Sequence, residues 1–327
     1  MIGRLEGRGG ANLLLIGHMD TVFEEGTAAE RPFRIEGERA LGPGVSDMKG
    51  GLLAGFFAAE VLQEAGLDRF GRLTFVCNPD EEIGSVFSGP VIRDLAAEAD
   101  AALVLECARE NGDIVSARKG VSEFRIQILG RAAHAGVNPD RGRSAILEAA
   151  HKTIALQRLH GVWPGVSVNV GIVSGGTRTN VVPERCVLEL DVRSPQEETL
   201  RAVEAEIEAI ASEHTVEDIQ VRLAKESWHR PMEKRAGGAA LVALTSAVAA
   251  DLGFEVKDTA TGGASDGNTT SAAGVPTLDG LGPIGGDAHA AEEWLDLSSV
   301  VPRVALLAGL IARIGAVEPP ITKEVVP

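Results

Sequence analysis

Cysteine is scarce in this chain: Cys77, Cys107 and Cys186 are the only three, and no two form a CxxC pair. An odd count without that spacing excludes a disulfide framework. Each thiol lies in an apolar, strand-like run, so buried free cysteines are expected. Positive charge is also short, with 31 Lys and Arg against 47 Asp and Glu and a formal charge of −16. A phosphate backbone is repelled by such a surface, which excludes nucleic acid as a partner. Most of the acid surplus serves solubility. Residues Met1 to Gly10 hold no apolar stretch of the secretory kind, so a cytoplasmic location is expected. No apolar run is long and uninterrupted. The longest, Val300 to Ile314, contains Arg303 and Arg313, and reads as a core helix with no membrane partner. Internal repeats and low-complexity segments are absent from the sequence as well.

What is present suits two domains. The chain has 327 residues, of which 44% are hydrophobic, enough to build a large core. In the first third, strands and helices alternate: Asn12 to Gly17, Arg72 to Asn78 and Ala101 to Glu106 as strands, Gly50 to Ala65 and Ser88 to Ala97 as helices. Continuous apolar runs such as Asn12 to Gly17 mark strands buried on both faces, and the alternation implies a mainly parallel sheet flanked by helices. After about Arg118 the pattern changes. Val121 to Gly130 alternates apolar with polar, Ser167 to Ser174 and Arg185 to Arg193 read as antiparallel strands, and Ile219 to Leu223 completes four. Gly142 to His160 and Gln196 to His214 supply two helices. From Gly237 the α/β style returns, ending in a helix over Leu297 to Gly315. The expectation is an α/β domain over residues 1–117 and 229–327, interrupted by an inserted α+β domain over 118–228, two helices on a four-stranded sheet.

Chemistry gathers where strands end. Leu13 to Gly17 runs into His18, with Asp20 two residues on and on the same face of an extended chain. A ligand-binding His belongs at the carboxyl end of a parallel strand. Asp20 could fix the tautomer of that ring, although on its own the pair is better explained by a polar strand-end turn. Gly42-Pro43-Gly44-Val45-Ser46-Asp47 is a tight loop leading into a helix. Asp47 could be an ordinary N-cap there. The loop has no GK[ST] and no dinucleotide fingerprint, so it is not a phosphate cradle of either kind. Asp80-Glu81-Glu82 leaves the next strand, and three adjoining carboxylates raise each other's pKa unless cations neutralise them or the loop is simply solvated. Glu106 directly follows a fourth strand, and Cys107 beside it points to the other face. Near the other end, Gly285-Gly286-Asp287-Ala288-His289 places a His on a glycine-rich loop. Singly, each feature has a structural explanation. Together they place two His and three carboxylates at strand ends, where a metal cluster belongs.

The segments GHMDTV, GPGVSDMKGG, NPDEEIGS, RAAHAG, GGTRTNVVPE, DVRS, HRPM, TGGASDGN and GGDAHA occur in one order along nearly the whole chain. In this the sequence resembles the zinc-dependent exopeptidase and aminoacylase family that includes carboxypeptidase G, the succinyl-diaminopimelate desuccinylases and acetylornithine deacetylase. GPG before Asp47, and Glu at 106, look more like the carboxypeptidase G branch than the aminotripeptidases. The resemblance implies two divalent ions: His18 and Glu106 on one, Glu82 and His289 on the other, Asp47 bridging. It implies Glu81 as general base and Asp20 as support for His18. His134 and Asn180 would reach the substrate, His134 across a homodimer formed through the inserted domain. Arg230 would hold a substrate carboxylate, although by itself it reads as a surface or hinge Arg, and Gly262-Gly263 would lie around that group. The peptide bond after Asp47 is expected to be cis. N/O donors suit zinc, with cobalt or manganese as alternatives. Relatives carry a helical segment and a strand before the position of Asn12, and both are expected to be missing here. The function implied is cleavage of an amide bond next to a free carboxylate in a small peptide or N-acyl amino acid. The alternatives are an N-acyl-amino-acid deacylase or desuccinylase, and a non-catalytic binding protein of the same fold.

Overall fold

The computed structural model describes residues 1–317 together with Ile321 and Lys323. Along the chain the first elements are β1 (Ile2–Glu6), β2 (Asn12–His18), α1 (Thr27–Glu30), β3 (Arg34–Glu36), β4 (Arg39–Leu41), α2 (Gly50–Glu64), β5 (Arg72–Asn78), α3 (Ser88–Glu98), β6 (Ala101–Val104) and β7 (Ile114–Arg118). There follow β8 (Gly120–Leu129), α4 (Ala145–Gln157), β9 (Ser167–Gly175), β10 (Arg185–Ser194), α5 (Glu197–Ser212) and β11 (Gln220–His229). The last are α6 (Ala236–Asp251), β12 (Asp258–Thr261), α7 (Asp266–Ala272), β13 (Thr277–Leu278), β14 (Gly285–Gly286), β15 (Trp294–Asp296) and α8 (Leu297–Ile314). The chain divides into two units, Met1–Arg118 with Met232–Pro327, and Lys119–Pro231. Arg230, drawn from sequence into the first, thus lies in the second.

The first unit is organised by a five-stranded sheet in the order β1-β5-β2-β6-β13, parallel except for β1. Its central strand shows why the sequence builds a covered sheet. Leu13 and Leu15 pack into a cluster with Leu52 and Leu62 of α2 and Leu306 and Leu310 of α8. Leu14 and Ile16 point the other way, against Ile92 and Ala96 of α3. Each such Leu or Ile contributes roughly 1.5–3 kcal/mol by leaving water. With both faces covered, the run has no polar alternation to show. The α8 helix is long and apolar enough to cross a membrane by length and composition. Here Leu306, Leu307, Leu310, Ile311 and Ile314 form its buried stripe in the core beside α2 and α6. One expectation is corrected. A strand does precede Asn12: β1 pairs antiparallel with β5 from Ile2↔Val76 to Glu6↔Arg72. A small antiparallel sheet, β14-β15-β4-β3, completes what matters for the site.

The second unit is an antiparallel sheet, β11-β8-β10-β9, with α4 and α5 against it. Phe124, Ile126 and Ile128 of β8 face the same core as Leu188, Leu190 and Val192 of β10. Leu200, Val203, Ile207 and Ala211 give α5 its buried stripe. Period-two alternation on the strands and three-to-four spacing on the helices are the signature of one covered and one open sheet face. All three cysteines are free, Cys77 and Cys186 buried and Cys107 half-buried. Burial pushes the Cys107 thiol up to about 12.

Candidate active site

Three adjacent parallel strands, β5, β2 and β6, deliver their carboxyl ends to one edge, the place where open α/β sheets bind ligands. His18 ends β2 in register with Asn78, which ends β5. Glu106 lies just beyond β6. Asp47 sits in the turn before α2, and the bond between Asp47 and Met48 is cis. His289 belongs to the loop joining β14 to β15.

The side chains meet around Asp47. His18 Nε2 is 3.0 Å from its Oδ1, and His289 Nε2 is 3.0 Å from its Oδ2. Glu106 Oε1 lies 3.7 Å from His18 Nε2, and Glu82 Oε2 lies 3.3 Å from His289 Nε2. Bonds of ~2.0 Å in a tetrahedral shell put neighbouring donor atoms about 3.3 Å apart. The four spacings fit two such shells that share one carboxylate, one on each of its oxygens. His18, Asp47 and Glu82 offer donor atoms that all lie within 4.8 Å of one another. Glu82 Oε1 is buried without a hydrogen-bond partner. The residues present therefore fit a pair of divalent ions.

Electrostatics point the same way. Burial pushes Glu81 up to about 8, with Asp266, Glu82 and Asp47 adding to the rise and His18 opposing it. Burial also raises Glu106 and Glu82, each further raised by the Asp47 charge. Burial works against the His18 imidazolium, but the hydrogen bond to Asp47 and the charges of Glu106 and Glu81 outweigh it and lift its pKa to about 10. For Asp47, burial acts upward, and contacts with His18 and His289 prevail and hold it below its ordinary value. Carboxylates so crowded are short of positive charge, and divalent cations invert that balance.

Asp20 lies beside His18 and also reaches the double-glutamate turn. His18 Nδ1 is 3.1 Å from the Asp20 backbone carbonyl and 3.5 Å from its carboxylate. That carboxylate accepts from the backbone N–H of Glu82 at 3.0 Å and of Glu81 at 3.3 Å. Asp20 thus touches the imidazole and the double-glutamate turn together. The turn is also pinned from below. Asn78 Nδ2 donates to Asp266 Oδ2 at 2.7 Å and to Ser85 Oγ at 2.8 Å, and Ser85 Oγ donates to Asp266 Oδ1 at 2.5 Å. Near Gly262-Gly263, buried Arg118 donates to Asp279 at 2.6 Å and to the Gly263 carbonyl at 3.1 Å. Asn78, Asp266, Arg118 and Asp279 were not singled out from sequence. Asn78 and Asp266 do lie inside the quoted segments NPDEEIGS and TGGASDGN.

In the second unit, the segments around His134 and Asn180 run side by side. Ala135 N–H donates to the Asn180 carbonyl at 3.0 Å, and Val182 N–H to the Ala133 carbonyl at 2.9 Å. Both side chains are exposed, and His134 Nδ1 accepts from Gly136 N–H at 3.1 Å. Arg230 is partly buried, with Nε 3.3 Å from Glu197 and the guanidinium 5.2 Å from the Trp228 ring centroid. A carboxylate therefore already stands beside it.

The sequence model of Peptidase family M20/M25/M40 matches residues 14–313. Carboxypeptidase G2 of Pseudomonas sp. (strain RS-16) is 31% identical over 322 residues, covering 97% of this chain and 77% of that protein. Succinyl-diaminopimelate desuccinylase of Leptothrix cholodnii is 30% identical over 314 residues, covering 90% of this chain and 80% of that one. Among solved structures, aminopeptidase PepT from Bacillus cereus superposes with a TM-score of 0.78 at 26% identity, covering 95% of this chain and 83% of that one.

Proposed function

The chain belongs to peptidase family M20/M25/M40 and is a hydrolase, and from that premise we propose a two-zinc exopeptidase that cleaves an amide bond next to a free carboxylate, as a glutamate carboxypeptidase does. One observation carries the reading: two imidazole nitrogens, on His18 and His289, approach separate oxygens of Asp47 at 3.0 Å each. His18 and Glu106 would hold one ion, His289 and Glu82 the other, with Asp47 between. Ions so held would supply Lewis acidity toward the scissile carbonyl. Glu81 takes the proton from the attacking water and hands it to the leaving nitrogen. Burial holds its carboxyl up at about 8, close to the pH at which a general base works best. Asp20 orients Glu81 and Glu82 through their backbone amides. His134 and Asn180 are assigned to the substrate from the second unit, His134 in the active site of a partner subunit, with that unit as the homodimer contact.

Arg230 is assigned the substrate carboxylate, which its guanidinium would take bidentately in exchange for Glu197. The test is one substrate pair, an N-acyl-glutamate and its α-amide, assayed on the metal-loaded wild type and on Arg230→Ala. The wild type should prefer the free acid, and Arg230→Ala should lose about 10- to 100-fold in kcat/KM on the acid alone, the value of a charged hydrogen bond. Equal wild-type rates on acid and amide would remove the carboxylate requirement. Including N-succinyl substrates in the same assay separates this reading from a desuccinylase, the activity named for one relative.

A further inference from the structure

Glu293 is 1% exposed, and neither the proposed ions nor the proposed chemistry uses it. Its carboxylate accepts from three backbone amides of one loop: Gly44 N–H at 2.8 Å on Oε2, and Ser46 N–H at 2.8 Å and Asp47 N–H at 3.0 Å on Oε1. Ser46 Oγ adds a longer contact of 3.4 Å to Oε1. Charge-assisted bonds of this kind are roughly twice as strong as neutral ones. The last of the three amides belongs to Asp47 itself.

The small sheet explains how a residue so far along the chain arrives there. Glu293 immediately precedes β15, which pairs on one side with β4 (Trp294↔Leu41) and on the other with β14 (Gly286↔Trp294). β4 runs directly into Gly42 and the Asp47 loop, and β14 runs directly into the His289 loop. Side chains at the β14 glycines have no room: a Cβ on Gly285 would strike Ser46, and one on Gly286 would lie 2.9 Å from the Trp294 indole. The His289 loop is itself a constrained turn, with φ 54° at Asp287 and 66° at His289, a left-handed region that non-glycine residues seldom occupy. The indole N–H of Trp294 holds it by donating to Asp287 at 3.1 Å.

We propose that Glu293 is a positioning residue that locks the Asp47 loop to the His289 loop, fixing the Asp47 carboxylate between the two imidazoles before any ion binds. It rests on the reading of Asp47 as the bridging ligand. The clamp acts on the backbone and not on the ions. Its loss therefore weakens both ions together, unlike the loss of one terminal ligand such as His289.

The decisive measurement is zinc affinity and stoichiometry by chelator competition, on wild type, Glu293→Gln and His289→Ala. In Glu293→Gln the amide NH2 confronts an N–H donor of the loop. The variant should bind both ions about 10- to 100-fold more weakly, the usual cost of losing a group that orients ligands, while His289→Ala loses one. A folded Glu293→Gln with two ions at wild-type affinity overturns the proposal and leaves the metal reading intact. A wild type that binds no ion overturns both. Should Glu293→Gln not fold, hydrogen exchange on chelator-treated wild type decides: the Gly44, Ser46 and Asp47 amides should exchange as slowly as in the zinc-loaded protein. Fast exchange at these three in the metal-free chain shows that no clamp exists.

Discussion

In the smaller unit Glu148, 1% exposed, stands 3.1 Å from Lys152 one helical turn away. Its Oε2 accepts from the backbone N–H of Thr215 and Val216, at 2.9 and 2.8 Å. Lys152 directs its own N–H donors to the carbonyls of Ile210, Ala211 and Glu213, where α5 ends and needs acceptor partners filled. Burial acts against the Glu148 charge, and these contacts outweigh it and lower its pKa. In the larger unit Glu106, 8% exposed, has its pKa raised, first by burial and then by other carboxylates. Both units bury carboxylates. One answers each charge within its own fold and gains a staple between two helices. The other gathers Glu81, Glu82 and Glu106 beside Asp47, and those three carboxyls stay raised despite His18, an excess of negative charge that bound cations would balance.

The sharpest break of this comparison is at Glu81. If the crowded cluster works chemically, Glu81→Gln should lower kcat by about 10²–10⁴-fold, the contribution of a placed general base. Two zinc ions should stay bound, measured by elemental analysis of the same preparation. Loss of the ions, or a near-normal rate, removes Glu81 from the proposed role. Mixing this variant with inactive His134→Ala chains also tests the assembly reading. Hybrid dimers should recover part of the activity, and a fully active wild-type monomer in solution would count against it.

How much of this contrast the sequence discloses depends on the distance over which each feature is held. The buried strands were readable because their signal is local: four consecutive apolar residues, Leu13 to Ile16, that two helical layers cover. Of the residues proposed as ligands, His18 and Glu106 stand at the end of such runs, whereas Asp47 and His289 lie on glycine-rich loops. β1 was not readable, because its five residues are mostly exposed and it exists by pairing with β5. β14 is two glycines and β15 three residues, so neither has a period to detect. Glu293 was missed for the same reason. Its partners are backbone amides 246 to 249 positions away, and no spacing rule reaches across that interval. The sequence pattern ends the last antiparallel strand at Leu223, but β11 continues six residues further to His229 and carries Arg230 with the second unit.

A second way to sharpen the comparison is to remove one charge from each cluster and compare signs. Lys152→Met strands Glu148 in the core of the smaller unit together with the carbonyls that Lys152 had capped. Breaking a buried pair from one side costs about 3–5 kcal/mol. Glu106→Gln, by contrast, removes one of several mutually repelling carboxylates and should leave the metal-free protein as stable as wild type or more so. Urea denaturation of chelator-treated proteins measures both. A destabilisation by Glu106→Gln equal to that by Lys152→Met would mean that the site is an ordinary balanced cluster.

The smallest expected effect is the response to pH, where the two clusters should diverge in sign. Glu148 has a lowered pKa in the folded chain, so its stabilisation is present above the ordinary glutamate range and is lost only as the pH falls through the folded value. It contributes no slope near neutrality. Glu81 is raised from 4.5 to about 8, and Glu106 and Glu82 are raised with it. Between those values the folded, metal-free chain holds protons that the unfolded chain has released. Stability there falls as pH rises. His18, raised from 6.5 to about 10, acts in the same direction, because its stabilisation is complete below 6.5 and disappears as pH passes 10. The Tm of chelator-treated protein should therefore decline steadily from pH 5.5 to pH 9. Zinc should flatten the decline, since an ion that binds only the folded state stabilises it and takes over the charge balance from the protons. Glu106→Gln should flatten it in part without zinc. A metal-free Tm that is level across this range, or that rises, would show that the carboxylates of the larger unit are already neutralised by the fold, and the contrast with Glu148 and Lys152 would vanish.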